Sequence, residues 1–483
     1  MLFNTISYLL FLLSIVTVFW LMRPSDRMYL LLGASIVFYA LWRVEFIVLI
    51  AFSAFVDYYF SLRIHDEQRD WLRKIWLLCS LTTNLSLLGY FKYTYFLVDN
   101  VRLMGGVLGS EWVFDPGPIV LPLGISFYTF LSISYTVDVY RKLFNPVRSF
   151  PVYLTYVMFW PHMIAGPILR AHELIPQVTG LNSLNRDWIG QGIRYILFGL
   201  FLKVALADQL APLVDDAFLA DPKKLSALDV WTMAFGFGFQ IYFDFAGYSM
   251  IAIGSARLLG VHFPENFNWP YLASSPRDFW KRWHITLSSW IRDYLYLPLS
   301  GMRFRDESQG GLEIQVARTH SVRLTAALFV TWFLMGLWHG ANWTFAFWGL
   351  WHATFIWLYR VTIPWLSQLP TAVRSIGGWA VTLAVAMLGW IPFRARSLSD
   401  TVTLLGRIVD YRAYTYLSFR ENFYMVVALI LVVMLLAYYA VGALRRSGRS
   451  MVLPLADIGA IAVAAFVVFI FLRPIGQFIY FQF

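Results

Sequence analysis

The sequence predicts an all-α integral membrane protein, a polytopic bundle of about 11–13 transmembrane helices. Three observations carry that prediction. Hydrophobic residues make up 59% of the chain and charged ones 14%, against roughly 45–50% and about 25% in soluble domains. Too little polar surface is left to cover a water-soluble body. The apolar runs are continuous and reach about 20 residues instead of alternating over barrel-strand lengths, and in hydrocarbon only a helix or a closed barrel satisfies its own backbone. The basic residues gather in a few stretches between those runs, as they do in cytoplasmic loops.

Taken in order, the first run, MLFNTISYLLFLLSIVTVFWLM, carries no charge before Arg23. It lacks the basic start and small-residue cleavage site of a signal peptide, so it reads as a retained span. Candidate spans follow at 4–22, 28–42, 44–62, 75–92, 119–137, 150–169, 192–210, 229–256, 324–340, 342–360, 376–393, 422–444 and 454–472. The 28–42 run is short and reads as tilted or re-entrant. Between Arg323 and Arg360 the chain is uncharged, which fits two short spans joined by a turn near Gly340, Ala341 and Asn342. Basic clusters at Arg63, Arg69, Arg73 and Lys74, at Arg277, Lys281, Arg282, Arg292, Arg303, Arg305, Arg318 and Arg323, and at Arg445, Arg446 and Arg449 are placed in the cytoplasm. The N-terminus then lies outside. The 264–323 stretch is not a plain span. From Ser275 it reads as an amphipathic helix at the cytoplasmic interface, with Ser275 as cap, Pro276 in the first turn and Asp278 at the positive end of the dipole. There is no internal repeat, so residues 1–483 form one membrane domain.

The net charge of +10 follows from loop lysines and arginines and gives no reason to invoke nucleic acid. One cysteine, Cys79, excludes an intrachain disulfide and a Cys-rich metal site, and its apolar surroundings suggest an inert buried thiol. Aromatic residues at 19% suit membrane interfaces and the lining of a tunnel.

Ionisable residues inside apolar runs suggest function. His339, in MGLWHGANW, is the foremost: Gly336 and Gly340 flank it and admit a neighbouring backbone or a ligand, and an imidazole can take a proton from a hydroxyl. Asn342 and the Trp338 N–H are placed to orient that ring or the substrate. His352 lies thirteen residues on, without the i, i+4 spacing or carboxylate of a helical zinc motif. No metal is expected, and His352 reads as a supporting residue. His284 lies among Arg277, Lys281 and Arg282, a cluster suited either to a phosphate-bearing donor or to anionic lipid headgroups. Asp138 is expected to pair with Arg141 three residues on. Asp244 has no charge nearer than Arg257 in its span and needs a partner from elsewhere in the bundle, stapling being a simpler role than catalysis. His162 sits in a Pro- and Gly-broken helix of the kind that lines a cavity. The alternatives at this point are an enzyme, a proton-relaying transporter and a catalytically dead scaffold. The absence of repeats and the donor-like basic helix count against the transporter.

The blocks PLGISFYTF, MFWPHMIAGPILR, IYFDFAGYSMIAIG, NFNWPYLASSPRDFWKRWHITLSSWIRDYLYLPLSG, GLWHGANWTFAFWGLWHA and the terminal FIYFQF resemble the membrane-bound O-acyltransferase family. The likeness is strongest to its bacterial branch, which contains the alginate O-acetyltransferase membrane protein and the teichoic-acid D-alanyl transfer protein. The resemblance implies a many-helix fold with re-entrant or interfacial helices around a tunnel. It matches the family's catalytic histidine to His339 and its second polar position to His284. It implies transfer of an acyl group, foremost acetyl, from a cytoplasmic thioester such as acetyl-CoA or an acyl carrier to an exported, alginate-like polysaccharide. No cofactor stays bound, and a partner anchored outside the inner membrane completes delivery. His339 would act as general base, while Arg277, Lys281 and Arg282 would hold the donor's phosphates and His162, Asp244, His352, Trp338 and Asn342 would line the path. Peptidoglycan, cellulose or teichoic acid are the other acceptors compatible with the likeness.

Overall fold

The computed structural model describes residues 2–109, 114–164, 166–180, 185–307, 311–315, 321–446 and 452–472. Arg318, Arg449 and the FIYFQF block lie outside the described residues. Every apolar run named above contains helix, although 119–137 becomes helical only at Ile125. The chain forms α1 (Ile6–Leu21), α2 (Pro24–Ala40), α3 (Glu45–Asp66), α4 (Asp70–Leu88), α5 (Thr94–Val107), α6 (Ile125–Tyr140), α7 (Phe150–Met158), α8 (Trp160–Met163), α9 (Ala171–Thr179), α10 (Arg186–Leu200), α11 (Asp208–Leu219) and α12 (Ala227–Leu258). Three short helices follow: α13 (Pro276–Trp280), α14 (Ile285–Ile291) and α15 (Leu297–Ser300). An antiparallel hairpin, β1 (Arg303–Glu307) and β2 (Gly311–Gln315), is an addition to the all-helical expectation and sets Phe304 opposite Ile314. The chain ends with α16 (Ser321–His339), α17 (Trp343–Leu366), α18 (Thr371–Arg394), α19 (Leu398–Val409), α20 (Glu421–Arg446) and α21 (Val452–Phe471).

By length and composition, five described stretches can cross a bilayer: Glu45–Asp66, Arg186–Leu219, Val322–His339, Thr371–Arg394 and Glu421–Ala443. The long α12 is buried along most of its length and forms the axis of the bundle. It faces protein on nearly every side, so it carries Gln240 and Asp244 where a lipid-facing helix would carry Leu or Ile. Its closest neighbour is α10. Gly192 and Gly199 meet Gly254 and Gly247 so tightly that a Cβ on any of the four would sit 2.6–2.9 Å from an atom of the other helix. Small residues at matching intervals let two membrane helices touch through their backbones. At the other end of the sequence α1 docks on the same axis: Tyr8 and Ser255 share a hydroxyl hydrogen bond of 2.7 Å, the Tyr248 hydroxyl accepts from the Phe3 N–H at 3.3 Å, and Trp20 donates to the Leu258 carbonyl at 2.9 Å.

The structure corrects four expectations. The 150–169 span is broken at Phe159, between α7 and α8, where Pro161 removes an N–H that a continuing helix needs. The helix expected from Ser275 begins as predicted, with the Ser275 hydroxyl accepting from the Asp278 N–H at 3.1 Å, but stops at Trp280. It resumes only at Ile285, because the 266–268 strand of chain competes for its backbone: Asn268 N–H bonds to the Arg282 carbonyl and Ile285 N–H to the Asn266 carbonyl, each at 2.9 Å. Between them His284 takes a left-handed conformation, φ 41°, costly for a residue with a Cβ and held only where surroundings dictate it. Much of the segment is drawn into the core, with Phe279, Trp280, Trp283, His284, Leu287 and Trp290 all buried, so it is not an interfacial helix with one wet face. Asp138 is bound by Tyr294, whose hydroxyl lies 2.8 and 2.7 Å from its two oxygens, while Arg141 stacks on that same ring. Cys79 is partly exposed on α4, not buried.

Three π-helical segments interrupt the α-ladders, at Gly89–Tyr93, Phe201–Ala207 and Arg292–Tyr296. A π turn inserts one residue and re-aims a side chain. Each of the three carries polar residues that reach into the bundle: Lys92, Lys203, and the pair Asp293 and Tyr294.

Candidate active site

The turn foreseen at Gly340, Ala341 and Asn342 joins α16 to α17, and His339 is the last residue of α16. Gly336 and Gly349 bring the two helices into backbone contact, a Cβ at either position colliding with the carbonyl of Phe345 or Trp332. The Asn342 side chain caps α17, accepting from the Thr344 N–H at 3.1 Å, and the residue is exposed. Its oxygen serves the helix end. The carbonyls that close α16 are met from the first π segment: Lys92 Nζ donates to the carbonyls of Trp338 and His339, the latter at 3.2 Å, and the Tyr93 hydroxyl donates to that of Leu337 at 3.0 Å. A cation at a helix C-terminus opposes the negative end of the dipole.

The His339 ring is enclosed by Trp338, Trp348 and Phe393, at centroid distances of 4.9, 4.9 and 5.3 Å. Trp348 lies also 5.0 Å from His352, which packs against Phe279, Trp280 and Trp332. His352 Nε2 sits against Gly389 of α18, where a Cβ would come within 2.9 Å. Trp283 and Trp390 complete the wall. His284 packs edge-on to Phe245 at 4.6 Å and, with Lys92 and His352, is an electrostatic neighbour of His339. Thus α12, α13, the His284 turn, α16, α17 and α18 converge on one buried aromatic cluster that holds three histidines, referred to below as the chamber.

Within this chamber the described residues leave several polar atoms without a hydrogen-bond partner: Nε2 of His284 and of His352, and the indole N–H of Trp280, Trp338, Trp348 and Trp390. Buried polar atoms are rarely left unmet, and a group of them gathered within one aromatic cluster is suited to a polar ligand. A neutral imidazole there can accept a proton from a hydroxyl, and indole N–H groups can hold a carbonyl oxygen or the oxyanion that forms from it.

The other sequence candidates fall in different places. His162 lies in α8 among Tyr156, Phe159 and Phe263, with Nε2 3.0 Å from the Tyr156 carbonyl. Asp244 pairs with Lys203, whose ammonium bridges it at 2.7 Å and Asp208 at 2.8 Å. That is the partner the sequence demanded. Arg277 and Lys281 are exposed, and Arg282 pairs with Asp278 at 3.1 Å. Sequence reading missed Lys92, Lys203 and Asn266. For the two lysines a signal was present, a lone cation within an apolar run; for Asn266, which binds the His284 ring at 3.0 Å, there was none. Among the described residues no group of three or more His, Cys, Asp or Glu is placed to hold a metal ion.

The model of the membrane-bound O-acyltransferase family matches residues 143–396, the stretch that supplies most of the chamber. The chain is 37% identical to the "Probable alginate O-acetylase AlgI" of Azotobacter vinelandii, over 91% of this chain and 83% of the relative. The chain belongs to the membrane-bound O-acyltransferase family. It is thus a multi-pass membrane O-acyltransferase. A peptidoglycan O-acetyltransferase of Helicobacter pylori is 35% identical over 78% of this chain and 72% of its own length. A teichoic acid D-alanyltransferase of Bacillus subtilis is 28% identical over 56% of this chain and 67% of its own length. The membrane-bound O-acyltransferase match takes in α7–α18, so α1–α6 and α19–α21 lie outside the matched part.

Proposed function

We propose that this protein moves an acetyl group from a cytoplasmic thioester to the hydroxyls of an exported, alginate-like polysaccharide, working in the inner membrane with an extracytoplasmic partner that completes delivery. The convergence of His339, His284 and His352 in one buried aromatic chamber is the observation that carries it. Relatives named for O-acetylation of alginate and of peptidoglycan, each more than a third identical, support acetyl over D-alanyl as the group carried.

In this reading the donor is acetyl-CoA or an acyl-carrier thioester, and no cofactor remains bound. The thioester carbonyl enters the chamber, where the indole N–H groups of Trp348 and Trp338 stabilise the charge that builds on its oxygen. His339 takes the proton of the attacking hydroxyl, the C–S bond breaks as the ester C–O bond forms, and the proton leaves on the departing thiol. Arg277, Lys281 and Arg282 hold the donor's phosphates at the cytoplasmic mouth; Arg277 and Lys281, being exposed, do so more readily than the paired Arg282.

The test is the ester content of exported and cell-wall polymers, with the acyl group identified by mass, in wild type and His339→Ala at equal protein level. Loss of acetyl ester from one polymer supports the proposal and names the acceptor. Loss of D-alanyl ester replaces it with the teichoic-acid reading, and unchanged esters overturn it.

A further inference from the structure

Asn266 is buried to 1% exposure on the segment before α13 and touches none of the residues so far given a chemical role except one. Its Oδ1 receives three hydrogen bonds: from the Thr286 backbone N–H at 3.3 Å, from the Thr286 hydroxyl at 2.9 Å, and from His284 Nδ1 at 3.0 Å. The first of these decides the chemistry. A backbone N–H only donates, so the side-chain atom facing it is the oxygen. The Nδ2 group on the other side donates to the Ser249 hydroxyl at 3.1 Å, consistent with that orientation. The Thr286 hydroxyl itself accepts from the Ile168 N–H at 3.0 Å, which leaves its hydrogen for Asn266. With an acceptor opposite it, Nδ1 of His284 must carry the hydrogen.

A neutral imidazole holds one ring hydrogen. With that hydrogen on Nδ1, Nε2 presents a bare lone pair, and Nε2 is the buried atom without a partner among the described residues. The ring is held by Phe245 and Phe267, and its backbone is fixed in the left-handed region by the 266–268 pairing. We infer that Asn266 is a positioning residue: it locks His284 into the Nδ1–H tautomer, so that Nε2 serves the chamber as a hydrogen-bond acceptor that holds the substrate in place while His339 takes the hydroxyl proton. This rests on reading the chamber as the site of acyl transfer. It gives the two histidines distinct settings. His284 is oriented through a side-chain carbonyl, as the third member of a nucleophile–base–orienter set is, while His339 is held at a helix end by packed rings.

The experiment measures labelled acetyl transfer from acetyl-CoA in inverted membrane vesicles of the producing cells, which retain the full chain with its partners and acceptor. Asn266→Leu cannot accept from Nδ1–H, and maximal rate is expected to fall about 100-fold or more with half-saturating acetyl-CoA unchanged. Asn266→Asp keeps the acceptor, and the Ser249 hydroxyl can turn to donate to it; recovery of at least a tenth of the wild-type rate is expected. Thr286→Val removes a neighbouring bond to the same oxygen and spares the one to His284, so it is expected to hold most of the rate. The inference is overturned if Asn266→Asp is as slow as Asn266→Leu, if Thr286→Val is as slow as Asn266→Leu, or if Asn266→Leu keeps its rate. A different failure belongs to the chamber: wild-type transfer by both His339→Ala and His284→Ala would remove the site reading itself.

Discussion

Two of the polar centres buried in this bundle, one around Lys203 and one around His339, are built in opposite ways. Around Lys203 the polar groups turn toward one another: an ammonium from a π segment lies 2.8 and 2.7 Å from two carboxylates, on α11 and α12. Around His339 they are not met by one another: ring nitrogens of His284 and His352 and the N–H of several tryptophans have no hydrogen-bond partner among the described residues. Removing ions from water is expensive unless they meet each other, so the first arrangement holds helices together. The second forgoes such mutual satisfaction and keeps its bonding capacity for something that enters. Burial alone does not separate a staple from a site; whether the buried polar atoms meet one another does.

That contrast is open to attack, beginning with the largest effect. His339→Ala should lower acyl transfer by about 10²–10⁴-fold while leaving thermal unfolding of the detergent-solubilised protein near the wild-type temperature. A large loss of stability with proportionate activity would make the chamber a second staple. Lys203→Met should do the reverse. Stranding two carboxylates costs about 3–5 kcal/mol, and the folded protein in the membrane should fall sharply, with recovery when Asp208→Asn and Asp244→Asn are added. Failure of the triple variant to recover would mean that Lys203 does more than balance charge.

A smaller effect is expected where Tyr294 binds Asp138. Tyr294→Phe leaves a buried carboxylate short of its donor, a loss of about 1–3 kcal/mol measurable as a lower unfolding temperature. Smallest of all is the Arg282–Asp278 pair, with both side chains nearly a third exposed. Arg282→Gln should change stability by under about 1 kcal/mol. Combined with Arg277→Gln and Lys281→Gln, it should raise the half-saturating donor concentration with maximal rate unchanged. Unaltered donor dependence would leave these three residues a role at lipid headgroups.

The spans were legible because an apolar run has few other uses, and the α16–α17 turn because Gly340 and Asn342 mark it. His339 stood out for the same reason, as a costly residue in an uncharged stretch. What escaped notice depends on contacts between distant parts of the chain. Nothing within PRDFWKRWHITLSSW marks the break at His284, which has no Gly or Pro beside it; the 266–268 backbone imposes it from outside. Asp138 showed Arg141 nearby in sequence, yet its hydroxyl partner comes from Tyr294, 156 residues on. The π segments are likewise silent in hydropathy, since an inserted residue alters aim and not composition. Asn266 looks like an ordinary loop asparagine until Thr286 and His284 are brought against it.

The docking of α1 on α12 bears on how the protein is made. Tyr8 meets Ser255 across 247 residues of chain, and at about 5–20 residues per second a ribosome needs roughly 12–50 s to supply that distance. Through that interval the first helix waits in the bilayer with its tyrosine hydroxyl and the neighbouring Asn4 side chain lacking their final surroundings. Its early residence depends on insertion machinery, lipid headgroups or temporary helix contacts, and a ribosome arrested before α12 emerges should leave α1 open to cross-linking with those escorts.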